Sequence, residues 1–327
     1  MRYVLVAVVL GLFAVFAVSE QDGLRSAISG IAHADPGLLL VGLTVSLLAV
    51  VNRGMLNRAA HHAVGLDTGV ASMTRTAAVG FSAQKVVKSA GAVGLAIFIR
   101  HGRRRGHTPG AVAAACVLSA AASFLALGVL MLATIVALWL SGGLTTWWLV
   151  AAAGFAVYAT LVAVGAVAIV RSRTWARRLW GWGHAVGRRL PIVRRRMADP
   201  VPFPEELFDA VAEARRRPAA SVRLIAHAVA SKCLGALMLA AAAAAVGLPV
   251  TVVSALAVYA TALASSVVSI VPGGLGTVEA STASLLIASG ASVGAAAVAV
   301  ALFRLLDLWM PLLAGMVMGR GELRTVR

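Results

Sequence analysis

Long apolar runs separated by short polar stretches dominate the chain. A helix needs about 20 predominantly apolar residues to cross the hydrocarbon core of a bilayer. On that measure the pattern predicts membrane spans over residues 3–18, 36–51, 111–140, 147–170, 221–246 and 292–318, with a further apolar run over 251–271. Pro36 suits a first helical turn, and its span can continue past Asn52 with Arg53 and Arg58 snorkelling to an interface. The first run also has a reading as a cleaved signal peptide, because Met1-Arg2 is a short basic start and Ala17-Val18-Ser19 a weak cleavage site. A retained helix is expected instead, since the two halves described below match only with it.

Two stretches fit no simple span. Residues 68–99 are apolar yet hold Arg75, Gln84, Lys85 and Lys88, with Gly80 and Gly91 as breakers. Residues 251–289 are interrupted by Val271-Pro272-Gly273-Gly274-Leu275-Gly276, and the 13 residues 277–289 after that break reach only half-way through a membrane.

Composition excludes whole classes of function. The chain has 327 residues, 60% hydrophobic and 13% charged, whereas soluble domains run at about 45–50% and about 25%. An ordinary cytosolic enzyme, a disordered protein and a collagen-like chain are therefore excluded. The net charge of +17 would suggest nucleic acid on a soluble protein; on so apolar a chain it is read by position, and no nucleic-acid partner is expected. Cys116 and Cys233 sit inside apolar runs, and His61-His62 has no evident third ligand. No disulfide scaffold, metal site or other cofactor is expected.

The arginines set the orientation. Four of the 26 lie at 100–105, thirteen between Arg171 and Arg223, and three after Gly319, while the 19–35 loop holds Glu20, Asp22 and Asp35 against Arg25. The excess of positive charge on cytoplasmic loops then puts both termini, the 100–110 loop and the 171–220 segment inside, and the 19–35 and 141–146 loops outside. Residues 68–99 must enter from the cytoplasm and return, and 251–289 must do so from outside. Each reads as a re-entrant hairpin, with tips near Lys88 and Gly273. Spans beginning at 36 and 221, and hairpin tips at 88 and 273, are both 185 positions apart; the third spans, at 111 and 292, are 181 apart. The expected fold is an all-α polytopic membrane protein, an inverted repeat of about three spans and one re-entrant hairpin in each half. Its halves are 1–140 and 141–327, the second carrying the basic cytoplasmic segment 171–220.

Irregular backbone at membrane depth must be buried in protein or line a wet cavity. A helix beginning at Thr277 would aim its free N–H groups and dipole at the midplane, where they favour an anion; a plain glycine turn would also account for the break. Glu279 lies ten residues before Ser289, about 15 Å deep, and Arg304 twelve residues into the last span, about 18 Å deep. Asp307 is one turn beyond Arg304. A lone charge at mid-bilayer costs several kcal/mol, so these three should be paired or wet. They make either a static ion network locking two helices or a polar site that opens by changing partners. Arginine outnumbers lysine 26 to 3, yet Lys85, Lys88 and Lys232 all lie in or beside apolar segments. Lys88, eleven residues before Ile99, would reach about 17 Å in. Lys85 and Lys88 share a helix face; they could hold a lipid phosphate, or snorkel from a shallow amphipathic helix. Residues 171–190 carry Trp175, Leu179, Trp182, Val186 and Leu190 at helical spacing among arginines, as an interfacial anchor or a dock for anionic lipid. Trp139, Trp147 and Trp148 fit an outer aromatic belt. The chain holds no Walker loop, HExxH or nucleophile elbow.

Val271-Pro272-Gly273-Gly274-Leu275-Gly276-Thr277-Val278-Glu279 resembles the PGGLGxxE signature of the lysylphosphatidylglycerol synthase transmembrane-region family, which includes the flippase part of multiple peptide resistance factors. Arg304, 25 residues after Glu279, resembles that family's arginine in the last helix. The spacing of segments is similar over essentially the whole chain. Where family members often show a proline and a Gly-Glu pair near the first hairpin, this chain has Lys88-Ser89-Ala90-Gly91-Ala92. No aminoacyl-transferase domain of the full synthases is expected from this sequence, and the resemblance then implies a lipid-translocating membrane part and not lysyl transfer.

The function expected is that of an inner-membrane transporter or flippase, moving a phospholipid or polyprenyl-phosphate headgroup between leaflets. Lys85 and Lys88 would bind phosphate from inside. Pro272, Gly273, Gly274, Gly276, Thr277 and Arg304 would bind it near the midplane, with Glu279 and Asp307 balancing charge. No catalytic residue is assigned. The partners are the membrane and an anionic lipid or polyprenyl phosphate, and a homo-oligomer is compatible with the pattern. The alternatives are a membrane enzyme, or enzyme subunit, acting on lipid-linked sugars, and a structural partner of another membrane protein.

Overall fold

Apolar periodicity and helix-end chemistry together fix the elements. The computed structural model describes residues 32–86, 91–140, 203–268 and 274–323. The predicted spans 3–18 and 147–170, the amphipathic 171–190 segment, and Lys88, Pro272 and Gly273 lie outside them. Among the described residues all regular structure is helical. In chain order the helices are α1 (Pro36–Ala63), α2 (Val70–Val86), α3 (Ala92–Arg103), α4 (Pro109–Leu140), α5 (Phe203–Arg216), α6 (Pro218–Ala245), α7 (Val252–Val268), α8 (Thr277–Ala288), α9 (Val293–Arg304) and α10 (Met310–Leu323). A π-helical turn, Leu305–Trp309, joins α9 to α10. Among the described residues, four segments are long and apolar enough to cross a membrane: Pro36–Ala63, Pro109–Ala137, Pro218–Ala245 and Val293–Gly319.

Local sequence explains the ends. The Asp35 side chain accepts from the N–H groups of Gly37 and Leu38 at 2.7 and 3.2 Å, and Pro36 follows at the first helical position. α1 continues well past Asn52 to Ala63 and closes on Val64-Gly65-Leu66. Gly65 is left-handed at φ 81° and Leu66 N–H returns to the His61 carbonyl at 2.9 Å, the glycine-closed helix end in which the chain turns back on its last carbonyls. α6 closes on the same three residues, Val246-Gly247-Leu248, with Gly247 at φ 75° and Leu248 N–H on the Ala243 carbonyl at 3.1 Å.

The correspondence extends along the chain. α1 and α6 are both 28 residues long, α2 and α7 both 17, α3 and α8 both 12. α3 and α8 each begin after a glycine with positive φ, Gly91 and Gly276. α1 packs on α2 as α6 packs on α7, α2 on α3 as α7 on α8, and α3 on α4 as α8 on α9; α2 meets α10 as α7 meets α4.

α1 and α6 form the longest interface and run antiparallel. Asp35 N–H donates to the Ala245 carbonyl at 2.9 Å at one end. Farther along, the Asn52 side chain donates to the His227 carbonyl at 2.9 Å and accepts from His227 Nδ1 at 2.8 Å. Alanine and glycine let the backbones approach, as van der Waals packing between membrane helices requires: Ala228, Ala236, Ala242 and Ala243 of α6 are buried. Leu40, Leu47, Leu125, Leu132, Leu237 and Val317 are exposed on the outside of the bundle, where an apolar residue meets lipid at no cost.

Candidate functional site

The break before α8 and the last span meet in an ion pair. Arg304 Nε donates to Glu279 Oε1 at 2.6 Å. The other oxygen, Oε2, accepts from the Gly276 N–H at 2.8 Å, three residues earlier. Glu279 thus reaches back over the first turn of α8 and supplies an anion there itself, a favourable place for a carboxylate. Thr277 is exposed and its hydroxyl donates to the Gly274 carbonyl at 3.1 Å. Gly274 is buried at φ 68°, where a Cβ would run into Val278. Arg304 is almost wholly buried, its side chain 6% exposed against 32% for Glu279, so the pair opens on the Glu279 side.

The π turn after Arg304 follows from one residue. Pro311 has no N–H, and in a regular helix its ring would collide with the Asp307 carbonyl. The backbone instead widens, with Met310 N–H donating to the Leu305 carbonyl five residues back. The next carbonyl in that register, Leu306, would look to residue 311 and finds no donor there. The hydroxyl of fully buried Ser46 in α1 donates to it at 2.6 Å. Asp307 is thereby held, half-buried, in a widened turn beside α1.

Asp307 faces cations from three other helices. Arg53, Lys85 and Lys232 all lie within electrostatic reach of it, as does Tyr259. The expectation that Arg53 snorkels outward is corrected: its guanidinium carbon stands 3.8 Å over the Phe81 ring of α2, a cation–π contact. A helical side chain leans toward the helix N-terminus, which carries Arg53 toward the level of Ser46 and so toward Asp307. Arg58 instead donates to the Thr68 carbonyl at 2.8 Å. Lys85 shares the Phe81 ring, its Nζ 5.2 Å from the ring centre, and is half-buried. Lys232 stands at the middle of α6, about 20 Å from either end at 1.5 Å per residue. One turn on, Gly235 has no side chain because the Tyr259 hydroxyl occupies that space.

The structure therefore joins Glu279 to Arg304 and draws Lys85 and Asp307 into one neighbourhood. It adds Arg53, Lys232 and Tyr259, which the pattern of residues did not assign to the site. Lys232 carried a signal, a lysine centred in an apolar span; Arg53 and Tyr259 carried none. Another feature absent from the reading is α5, whose first turn holds Glu205 and Glu206 and whose last turn holds Arg215 and Arg216, signs matched to the helix dipole. Among the described residues no group of three potential metal ligands comes together.

No curated protein matches the chain. The family described as Lysylphosphatidylglycerol synthase TM region matches residues 4–315. With four helices among the described residues long and apolar enough to cross a membrane, the chain is a multi-pass membrane protein, and it belongs to the lysylphosphatidylglycerol synthase TM region family.

Proposed function

We propose that this protein moves a phosphate-bearing lipid headgroup between the leaflets of the inner membrane, through a chamber between two inverted halves. The carrying observation is the cluster of Arg53, Lys85, Lys232 and Arg304 around two acids, Glu279 and Asp307, with Lys232 at the middle of α6. Each such charge costs about 2.5–3.5 kcal/mol at mid-bilayer on insertion scales, and an excess of cations there suits an anionic cargo. The family, whose description concerns a lipid synthase, points the same way.

Four features support inverted halves: the antiparallel pairing of α1 with α6, the matched helix lengths, the shared Val-Gly-Leu closures and the matched pattern of packing. In this reading α2–α3 and α7–α8 are re-entrant hairpins, and both termini are cytoplasmic. Lys85, with Lys88, receives the phosphate from inside. On parting from Glu279, Arg304 receives it near the midplane together with Pro272, Gly273, Gly274, Gly276 and Thr277, while Glu279 and Asp307 balance charge. An enzyme acting on lipid-linked sugars would want acids not already matched by cations, and Glu279 is bound to Arg304.

The test is movement of fluorescent lipids across vesicles containing the purified protein, read by a reductant confined to the outside. Faster crossing of anionic lipids than in protein-free vesicles is expected. Rates equal to protein-free vesicles for every phosphate-bearing lipid tried would sink the proposal.

A further inference from the structure

We infer that the headgroup held in this chamber is a phosphomonoester, as in phosphatidic acid or a polyprenyl monophosphate, in preference to a phosphodiester. This rests on the lipid-site reading above and concerns which headgroup is held, not whether it crosses. Glu279 and Arg304 close on each other at 2.6 Å and cancel. Among the described residues, Arg53, Lys85, Lys232 and Arg304 then stand against two acids, Glu279 and Asp307, which leaves two positive charges to be met by the occupant. Uncompensated charge is costly where water is scarce, so the occupant that fits is a dianion. A phosphodiester carries one negative charge. A phosphomonoester has a second ionisation near pH 6, and neighbouring cations favour the doubly charged form further.

The donors have the matching shape. A phosphomonoester presents three terminal oxygens and a phosphodiester two. Arg53 lies over the Phe81 ring, which fixes the direction of its planar fork of N–H donors. Lys85 reaches the same ring from α2, and Lys232 comes from α6. The Tyr259 hydroxyl, set against Gly235 one turn from Lys232, adds an O–H at the same level. Two of the cations are lysines, compact charges with three donors each, suited to a rounded phosphate terminus.

The experiment is calorimetric titration of the full chain in detergent, at about pH 7.5, with dioctanoyl phosphatidic acid and dioctanoyl phosphatidylglycerol. Phosphatidic acid should bind at least ~10-fold tighter, as expected when one more charge is matched. Lys232→Gln should weaken phosphatidic acid by about tenfold and phosphatidylglycerol by no more than about twofold. Lys85→Gln should act in the same direction, which keeps the test alive if the first variant does not assemble. Equal or reversed ranking of the two lipids by the unmodified protein overturns the inference. Inorganic phosphate should displace phosphatidic acid only in large excess; displacement at equal concentration would assign the site to a free anion and overturn the lipid source. Preference for phosphatidic acid without transbilayer movement sinks the translocation proposal alone, whereas movement with phosphatidylglycerol preferred sinks this inference alone.

Discussion

Arg304 and Glu279, 25 positions apart, share a hydrogen bond of 2.6 Å between Nε and Oε1, and the same carboxylate also holds the Gly276 N–H. One side chain therefore fixes both the start of α8 and its contact with the last span. Replacing either residue by alanine strands a charge. Because Glu279 is about a third exposed, the cost is expected between those of exposed and of fully buried pairs, about 1–3 kcal/mol. Unfolding of single and double variants in mixed micelles should show the double change costing less than the two singles together. Additive costs would mean that the pair is not coupled.

Ser46→Ala should destabilise by about 1 kcal/mol, since it leaves the Leu306 carbonyl without a donor. Pro311→Ala restores a backbone N–H in that register. In its background the cost of Ser46→Ala should shrink. An unchanged cost would show that the carbonyl is satisfied in some other way.

The Asn52–His227 pair, with two hydrogen bonds at 2.8 and 2.9 Å, clamps α1 to α6 from one direction. Asn52→Ala removes both and should cost about 1–2 kcal/mol. Asn52→Asp keeps an acceptor for His227 Nδ1 and should recover part of the loss, read as the midpoint of thermal unfolding. No difference between the two variants would place the stabilisation elsewhere.

Lys85→Gln combined with Lys88→Gln keeps length and polarity and removes two charges. The variant should assemble with near-normal thermal stability. Crossing of an anionic lipid in vesicles should fall at least ~10-fold, with a zwitterionic lipid little changed. Full activity on every lipid would remove both lysines from the phosphate site, and failure to assemble would make them structural.

Cysteines introduced at Gly30 and Gly143 should react with an impermeant reagent from outside, and those at exposed Arg104 and at Arg195 only after permeabilisation. Labelling of Arg104 from outside would invert the orientation of the first half.

Much of this was legible in residues close together along the chain. The similar depths of Glu279 and Arg304 can be counted by helix rise from a single turn near Gly290, which leaves them paired or wet; that they pair depends on the faces they present. Hairpins over 68–99 and 251–289 are expected from glycine breaks and charges, and paired helices are found there, the first running on to Arg103. What escaped reading depends on contacts across the bundle. Whether Arg53 turns out to an interface or inward depends on Phe81, 28 positions away and on another helix. Tyr259 comes within electrostatic reach of Asp307 because Gly235 leaves it room. Pro311 was a local signal that a proline inside an apparent span widens or bends it, and the position of Asp307 depends on that signal. The repeated Val-Gly-Leu at 64–66 and 246–248 is a further local likeness between α1 and α6, plain once both helices are seen to end there.

The π turn has a consequence for how this span tolerates a change of length. A widened turn takes up one residue that a regular helix would use to rotate by about 100° and advance about 1.5 Å. Beyond Met310 the helix therefore keeps an angular phase that uniform winding of the same sequence would not produce. That phase sets Gly315 against the Ala78 carbonyl and the Ser82 hydroxyl, where there is no room for a Cβ. Loss of one residue between 305 and 309, with a return to regular winding, would leave Gly315 facing α2. Gain of one residue there, wound regularly, would swing it away and drive a larger side chain into its place.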